Sequence, residues 1–172
     1  MTNVYPNSIV CLTEESVETL ALVGKLDLIK GVSAFVKRPE AALSIPKISF
    51  FTTSNLAKIN ALKPDLILGF SDIQKDIARD LIEQGHNVFI ANHRSVQGIL
   101  NYIQMLSQIV DAKSAGLQLV ADLEKKIKKI VDLNKKLPRP PTVYFEEWDE
   151  PQISAIQWVS ELIQFAGGID IF

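Results

Sequence analysis

The chain has 172 residues, 47% of them hydrophobic, which is enough to bury one substantial core. Its formal net charge of −2 gives no electrostatic case for binding nucleic acid, and its single cysteine, Cys11, excludes an internal disulfide framework and a cysteine-rich zinc site. No run approaches the roughly 18 apolar residues of a membrane span. Met1–Pro6 lacks a leader pattern, so the sequence as written predicts a cytoplasmic protein, or an extracytoplasmic one if a leader has been removed.

Apolar runs and helical patterns alternate along the first part of the chain. Between the short apolar runs, apolar residues recur every three or four positions, as they do on one face of a helix. Such alternation is typical of a doubly wound parallel sheet of the α/β class. The predicted strands cover residues 8–12, 29–33, 48–51, 66–68 and 88–91, and the predicted helices cover 16–23, 56–63, 73–82 and a segment from 96 onward.

Residues 55–69 carry the clearest local signal. Pro64 has no amide hydrogen to donate, so the helix before it is expected to end at Lys63. The run 66–68 is apolar throughout, which is typical of a parallel strand covered by helices on both faces. Gly69 is expected to allow a sharp exit from this strand. The predicted caps of the next two helices are Ser71 or Asp72, and Ser95.

The second part of the chain begins with a long helical segment. Residues 111–137 contain no proline and one glycine, and they predict a helix of roughly 40 Å that acts as a strut. Pro138 begins the proline-rich segment that ends it. A strand at 142–145 and a helix at 153–165 follow, and two elements cannot enclose a core of their own. The core positions predicted in this last helix are Trp158, Leu162 and Phe165.

Five sequence blocks stand in a distinctive order: Ser8–Thr13, Gly31–Ser33, Ala61–Leu66, Gly85–Val88 and Ala166–Phe172. In this order they resemble the substrate-binding proteins of ABC importers for cobalamin, haem and ferric siderophores, over nearly the whole chain. In that family two α/β lobes are joined by one rigid backbone helix, and the ligand lies in the cleft between them. The resemblance implies a parallel-sheet, Rossmann-like first lobe at 1–105, a long backbone helix with a proline-rich exit at 106–141, and an incomplete second α/β lobe at 142–172.

The resemblance also implies ligand-binding positions in the first lobe. Aromatic residues after the Gly-Val-Ser strand and before the Asn-Leu helix line the cobalamin site of the family, and here Phe35 and Phe51 stand in those places. Arg38 occupies a further aromatic position. Family members often carry a glutamate directly after Asn-Leu, which pairs with arginines of the membrane permease. This chain has Ala57 there, so docking on an ABC permease would lack that carboxylate.

His93 and Arg94 follow the strand predicted at 88–91, where open α/β sheets present their ligands. A neutral imidazole can ligate iron or cobalt, and a guanidinium can clamp a carboxylate or phosphate. The alternative for both residues is a solvated loop. No second metal-type residue lies nearby in the sequence, so no resident metal site is predicted.

The densest acidic and aromatic cluster, residues 146–150, is expected to form a loop after the strand at 142–145. Trp148 could cover a macrocycle and Glu147 could meet a cation, and the alternative is again a solvated loop.

No signature of nucleotide, acyl or zinc chemistry occurs, so the sequence predicts no enzyme. It predicts a binding protein without an intrinsic cofactor, which takes cobalamin, haem or a ferric siderophore in an interlobe cleft for ABC import. One alternative is a cytosolic interaction or assembly protein that reuses the fold and forms a homodimer through its incomplete second lobe. The other is an enzyme of unknown reaction that uses the loop at 146–150.

Overall fold

The structure, a computed structural model, describes residues 4–135 and 139–172. Two predictions fall at least partly outside these ranges. They are the absence of a leader pattern, which includes Met1, and the end of the long helix at Leu137 and Pro138. Within the described residues, no helix is both long and apolar enough to cross a membrane.

A five-stranded parallel sheet organises the first part of the chain. Its strands run in the order β3-β2-β1-β4-β5, so the chain starts at the centre, moves to one edge and then crosses back to the other side of β1. This topology confirms the predicted α/β, Rossmann-like class. The strands are β1 (Ile9–Cys11), β2 (Ile29–Ser33), β3 (Lys47–Ser49), β4 (Leu66–Phe70) and β5 (Val88–Ala91).

The central strands of this sheet are buried on both faces. All three residues of β1 are buried, and so are Ile67 and Leu68 of β4. Cys11 is a free, buried thiol, as predicted, and burial raises its pKa far above the ordinary value. One apolar cluster joins the sheet to its helices through Val10, Leu12, Ile48, Ile59, Ile67, Ile77 and Leu81.

Three helices connect the strands: α1 (Glu14–Leu22), α2 (Leu56–Leu62) and α3 (Lys75–Glu83). The side chain of Asn55 caps α2 by accepting a hydrogen bond from the Lys58 amide. Lys63 follows α2 in the left-handed conformation, with φ 45°, and this confirms that the helix ends before the proline. Single turns of 3-10 helix lie at Leu26–Leu28, Glu40–Ala42 and Asp72–Gln74.

The exit from β4 differs from the prediction. Gly69 lies inside the strand, and the sharp turn occurs at Ser71, which has φ 66° and accepts a hydrogen bond from the Ile73 amide. Gly69 is small for a packing reason, since an added Cβ would lie 2.7 Å from Oε1 of Gln74 and from Cδ1 of Ile90. The helix predicted at 73–82 begins at Lys75, and its apolar residues Ile73 and Ile82, at the two ends of the predicted range, are exposed.

Two consecutive helices follow β5, namely α4 (Val96–Ile109) and α5 (Lys113–Asn134). Ser95 caps the first, because its Oγ accepts the Gly98 amide at 3.0 Å. The helix predicted from 111 begins at Lys113 instead. Asp111 has φ 54°, in the left-handed region, and this conformation interrupts the helix between α4 and α5. The 22 residues of α5 span about 33 Å.

The chain divides into two compact units. The first comprises Met1–Asn92 with Tyr102–Gly116, and the second comprises His93–Asn101 with Leu117–Phe172. The division predicted at residues 105 and 141 stays a prediction.

The second unit contains two small sheets and a helix. A parallel pair joins β6 (Thr142–Val143) to β9 (Ile169–Asp170), and an antiparallel hairpin joins β7 (Glu146–Asp149) to β8 (Gln152–Ser154). The helix predicted at 153–165 is therefore wrong at its start, because Ile153 pairs with Trp148 across the hairpin and α6 begins only at Gln157. The acidic segment at 146–150 is likewise mostly strand. Gly167 follows α6 with φ 85°, as its position predicted.

The end of the chain has little burial of its own. Among residues 121–135 and 139–172, none is buried, and the predicted core residue Leu162 is 49% exposed. Two two-stranded sheets cannot enclose a core. This confirms that the second lobe is incomplete.

We expect Gly116→Ala to lower the free energy of unfolding by about 1–3 kcal/mol, because the added Cβ would lie 2.3 Å from the side chain of Ser107. Urea unfolding measures the change. In a Ser107→Gly background the same substitution should cost much less, and an equal cost in both backgrounds would contradict the contact.

Candidate functional site

Two exposed aromatic rings meet at the carboxyl edge of the first unit's sheet. Phe35 follows β2 and Phe50 follows β3, and their ring centroids are 6.1 Å apart at an interplanar angle of 72°. This is the edge-to-face arrangement that aromatic pairs prefer. Phe35 is 46% exposed and Phe50 is 60% exposed, so the pair presents apolar surface to solvent. Phe51, a predicted ligand-binding residue, is also exposed, and Phe50 was not among the predicted residues.

A surface pocket of about 680 Å³ lies against this aromatic pair. Its lining combines an aromatic ring with two lysine side chains, and it contains no carboxylate. Burial, together with the charge of Lys37, lowers the pKa of Lys47. The lining residues are Ala34, Lys47, Ile48, Ser49, Phe50, Thr53, Ser54, Asn55, Leu56 and Lys58.

A buried glutamine fixes the loop that carries the aromatic residues. Gln74 is fully buried, and its Nε2 donates to the carbonyl of Phe51 at 2.9 Å. Its Oε1 accepts the amide of Phe70 at 3.0 Å. One side chain therefore ties the segment after β3 to the end of β4. Sequence reasoning missed this residue, because a glutamine in a helical first turn ordinarily faces solvent.

A second pocket, of about 480 Å³, lies beside the start of α1. Here the structure places Arg38, whose guanidinium forms an ion pair with Glu18 while its side chain stays 79% exposed. The guanidinium of this predicted ligand-binding residue is thus paired with a carboxylate of its own chain. The lining residues are Glu14, Glu15, Glu18, Lys37 and Arg38.

Glu15 is a half-buried carboxyl in this second pocket. Burial raises its pKa, and the hydrogen bond that Thr13 Oγ1 donates to Glu15 Oε1, at 2.6 Å, opposes that effect only in part. The carboxyl therefore holds a proton more readily in the folded chain than in the unfolded chain.

In the second unit, His93 lies between β5 and α4 beside an aromatic ring. Its ring centroid is 6.1 Å from that of Trp158, with the planes inclined by 43°. Partial burial and the neighbouring charge of Arg94 lower the pKa of His93. The imidazole is consequently neutral at physiological pH, which is the form that ligates metals. Arg94 itself is exposed.

Glu147 and Trp148 lie on β7 and not on the predicted loop. Trp148 is 61% exposed, and its indole nitrogen donates to the Glu150 carbonyl at 3.0 Å. Glu147 is exposed as well. Glu147 has no partner across the hairpin, because the register shifts between Glu146 and Trp148, as it does at a β-bulge.

The predicted site residues therefore fall into two groups. Phe35, Arg38 and Phe51 belong to the first unit, and His93, Arg94, Glu147 and Trp148 belong to the second. Within the first unit, the structure adds Phe50 and the lysine-lined pocket. In the part of the chain that the structure describes, no group of three or more histidine, cysteine or acidic side chains could hold a metal ion.

Comparison with known proteins places these features in context. The sequence model of a family described as periplasmic binding protein matches residues 9–172. A vitamin B12-binding protein of Vibrio vulnificus (strain YJ016) is 29% identical over 168 residues, which make up 95% of this chain and 61% of that protein. The chain thus spans about 61% of the length of this relative.

Solved structures show the same fold. The periplasmic vitamin B12-binding protein BtuF of Vibrio cholerae superposes with a TM-score of 0.81 at 23% identity, covering 97% of this chain and 66% of that one. The periplasmic haem-binding protein RhuT from Roseiflexus sp. RS-1, in its apo form, gives 0.83 at 23% identity, covering 95% and 65%.

We expect Gln74→Leu to lower the free energy of unfolding by about 1–3 kcal/mol, since the Phe51 carbonyl and the Phe70 amide lose their partner. Urea unfolding at neutral pH measures this change. Gln118→Leu, at an exposed position of α5, is the matched control and should stay within about 0.5 kcal/mol of the parent.

We expect Glu15→Gln to stabilise the protein at neutral pH and to have little effect in acid. Because the folded pKa of Glu15 lies above its unfolded value, stability present in acid is lost as the pH rises through the folded pKa. Glutamine removes that loss and keeps an oxygen that accepts from Thr13. Thermal unfolding across pH 4 to 8 checks this, with the exposed Glu83→Gln as control. A benefit independent of pH would contradict the explanation.

Proposed function

The chain belongs to the periplasmic binding protein family, and on that premise we propose that it binds a metal-chelate ligand, namely cobalamin, haem or a ferric siderophore, for import by an ABC transporter. The observation that carries the proposal is the family match over residues 9–172. Two of these ligand classes are those of relatives, since the Vibrio vulnificus relative is a vitamin B12-binding protein and the Roseiflexus structure is a haem-binding protein.

The exposed aromatic pair supports this proposal. Large planar ligands bury much of their surface against aromatic side chains, and Phe35 and Phe50 offer such surface at the edge of the sheet where α/β proteins bind ligands. Phe51 adds a third exposed ring at the same loop. Gln74 holds this loop by its backbone, so the rings are positioned before any ligand arrives.

The predicted residues of the second unit extend the proposal. The neutral imidazole of His93 is suited to ligate the iron or cobalt of a bound chelate. Arg94, Glu147 and Trp148 are exposed to solvent. Their participation is part of the proposal.

We further propose an extracytoplasmic location and an ABC permease as partner, as family membership favours. Ala57 is exposed in the first turn of α2, where the resemblance led us to expect a docking glutamate. The family match and the relatives support a binding protein. They give no support to a cytosolic assembly protein or to catalysis at residues 146–150.

The proposal is tested by titrating the purified chain with cyanocobalamin, haemin and ferric chelates, following visible absorbance and tryptophan fluorescence. We expect one of these ligands to saturate near one per chain. The double variant Phe35→Ala/Phe50→Ala should weaken that binding about tenfold or more, because two aromatic contacts are lost. The absence of a response to every ligand would contradict the proposal.

The matched control is Leu22→Ala/Ile82→Ala, which also truncates two exposed apolar side chains, at the far ends of α1 and α3. This control should bind as tightly as the parent. Equal weakening in both double variants would point to a general loss of structure and not to contacts at the aromatic pair.

A further inference from the structure

Two lysines and two aromatic rings form one continuous surface in the first unit. Phe50 lines the pocket of about 680 Å³ together with Lys47 and Lys58, and the same ring contacts Phe35. A ligand that lies on the aromatic pair would therefore border the pocket that these two lysines line.

These ammonium groups are not neutralised by the chain itself. Among the described residues, neither Lys47 nor Lys58 forms an ion pair, and no carboxylate lines their pocket. Lys47 donates only to the Ala42 carbonyl, at 3.5 Å. Its nearest charged influence is another cation, Lys37, which together with burial disfavours the charged form. An anion in this pocket would favour the charged form of Lys47 and so oppose both effects.

The neighbouring carboxylates do not cancel this positive charge. Glu14, Glu15 and Glu18 line the other pocket, beside α1. Glu18 is paired with Arg38, and Glu15 accepts a hydrogen bond from Thr13. The two pockets thus differ in kind. The pocket beside α1 contains the ion pair between Glu18 and Arg38. The pocket beside Phe50 is lined by two lysines, by hydroxyl groups of the loop after β3 and by an aromatic ring.

We infer that the chelate bound at the site proposed above is a flat macrocycle that carries peripheral carboxylates, which Lys47 and Lys58 pair with while Phe35 and Phe50 cover the ring. The inference rests on the proposed function and chooses one of the ligand types named there. It favours a porphyrin dicarboxylate over a corrinoid, whose peripheral amides carry no charge. Charge-assisted hydrogen bonds to carboxylates supply the discrimination, whereas the aromatic contacts are common to both ligand types.

The test compares haemin with haemin dimethyl ester and cyanocobalamin, in one solvent mixture. The ester keeps the ring and iron of haemin but blocks both carboxylates. We expect haemin to bind about tenfold more tightly than its ester, as two partly exposed ion pairs would give, and higher salt should shrink this ratio.

The double variant Lys47→Gln/Lys58→Gln should bind haemin about tenfold more weakly and bind the ester unchanged, so that the preference disappears. Lys25→Gln/Lys30→Gln makes the same change of charge at the amino edge of the sheet and should keep the preference. Unfolding midpoints of both variants near that of the parent establish that each is folded.

The outcomes separate the inference from the proposed function. The inference would be overturned if haemin and its ester bound with equal affinity. It would also be overturned if cyanocobalamin bound more tightly than haemin and its affinity did not change in Lys47→Gln/Lys58→Gln. Either result would leave the proposed function standing. A preference for haemin that survives Lys47→Gln/Lys58→Gln would overturn the assignment of these lysines. Failure to bind any of the three ligands or the ferric chelates would overturn the proposed function, and the inference with it.

Discussion

The burial of β1 and β4 on both faces is the constraint on which the first unit depends. Strands covered by helices on each side contribute only apolar side chains, so polar and ligand-facing groups are confined to the loops at the strand ends. In a parallel sheet these loops gather at one edge. The aromatic pair, the lysine-lined pocket and the paired acidic pocket all follow from this confinement.

A single buried side chain links that core to the surface. Gln74 occupies the space that Gly69 leaves open and holds the backbone at Phe51 and Phe70. Buried amides keep their geometry only when both ends are satisfied, and here both are. The loop after β3 is consequently positioned by the core and not by its own contacts. This makes an exposed aromatic ring compatible with a defined position, which is what a preformed binding surface requires.

The second unit buries far fewer side chains than the first. Its strands are short, they form two separate pairs, and the described residues after Val120 include none that is buried. Large apolar side chains such as Tyr144, Trp148 and Phe172 remain exposed. The matched portion covers 61% of the Vibrio vulnificus relative and 66% of the Vibrio cholerae structure. The stability of the chain therefore resides chiefly in the first unit.

The sequence determined the class of the sheet, the bounds of β2 and β5, and the stop of α2 at Lys63, because these depend on local periodicity and on proline and glycine chemistry. The family resemblance also singled out Phe35 and Phe51, which follow β2 and β3 and are exposed, and their role in ligand binding stays a proposal.

Tertiary structure decided what local pattern does not encode. The hairpin at β7 and β8 arises because Trp148 pairs with Ile153, a contact between strands that overrides the helical spacing of the following residues. Likewise, Phe50 meets Phe35 because β2 pairs with β3, and Lys47 and Lys58 share a pocket because α2 packs against β3. Periodicity within a segment fixes which residues share a face, and only long-range packing fixes what that face meets.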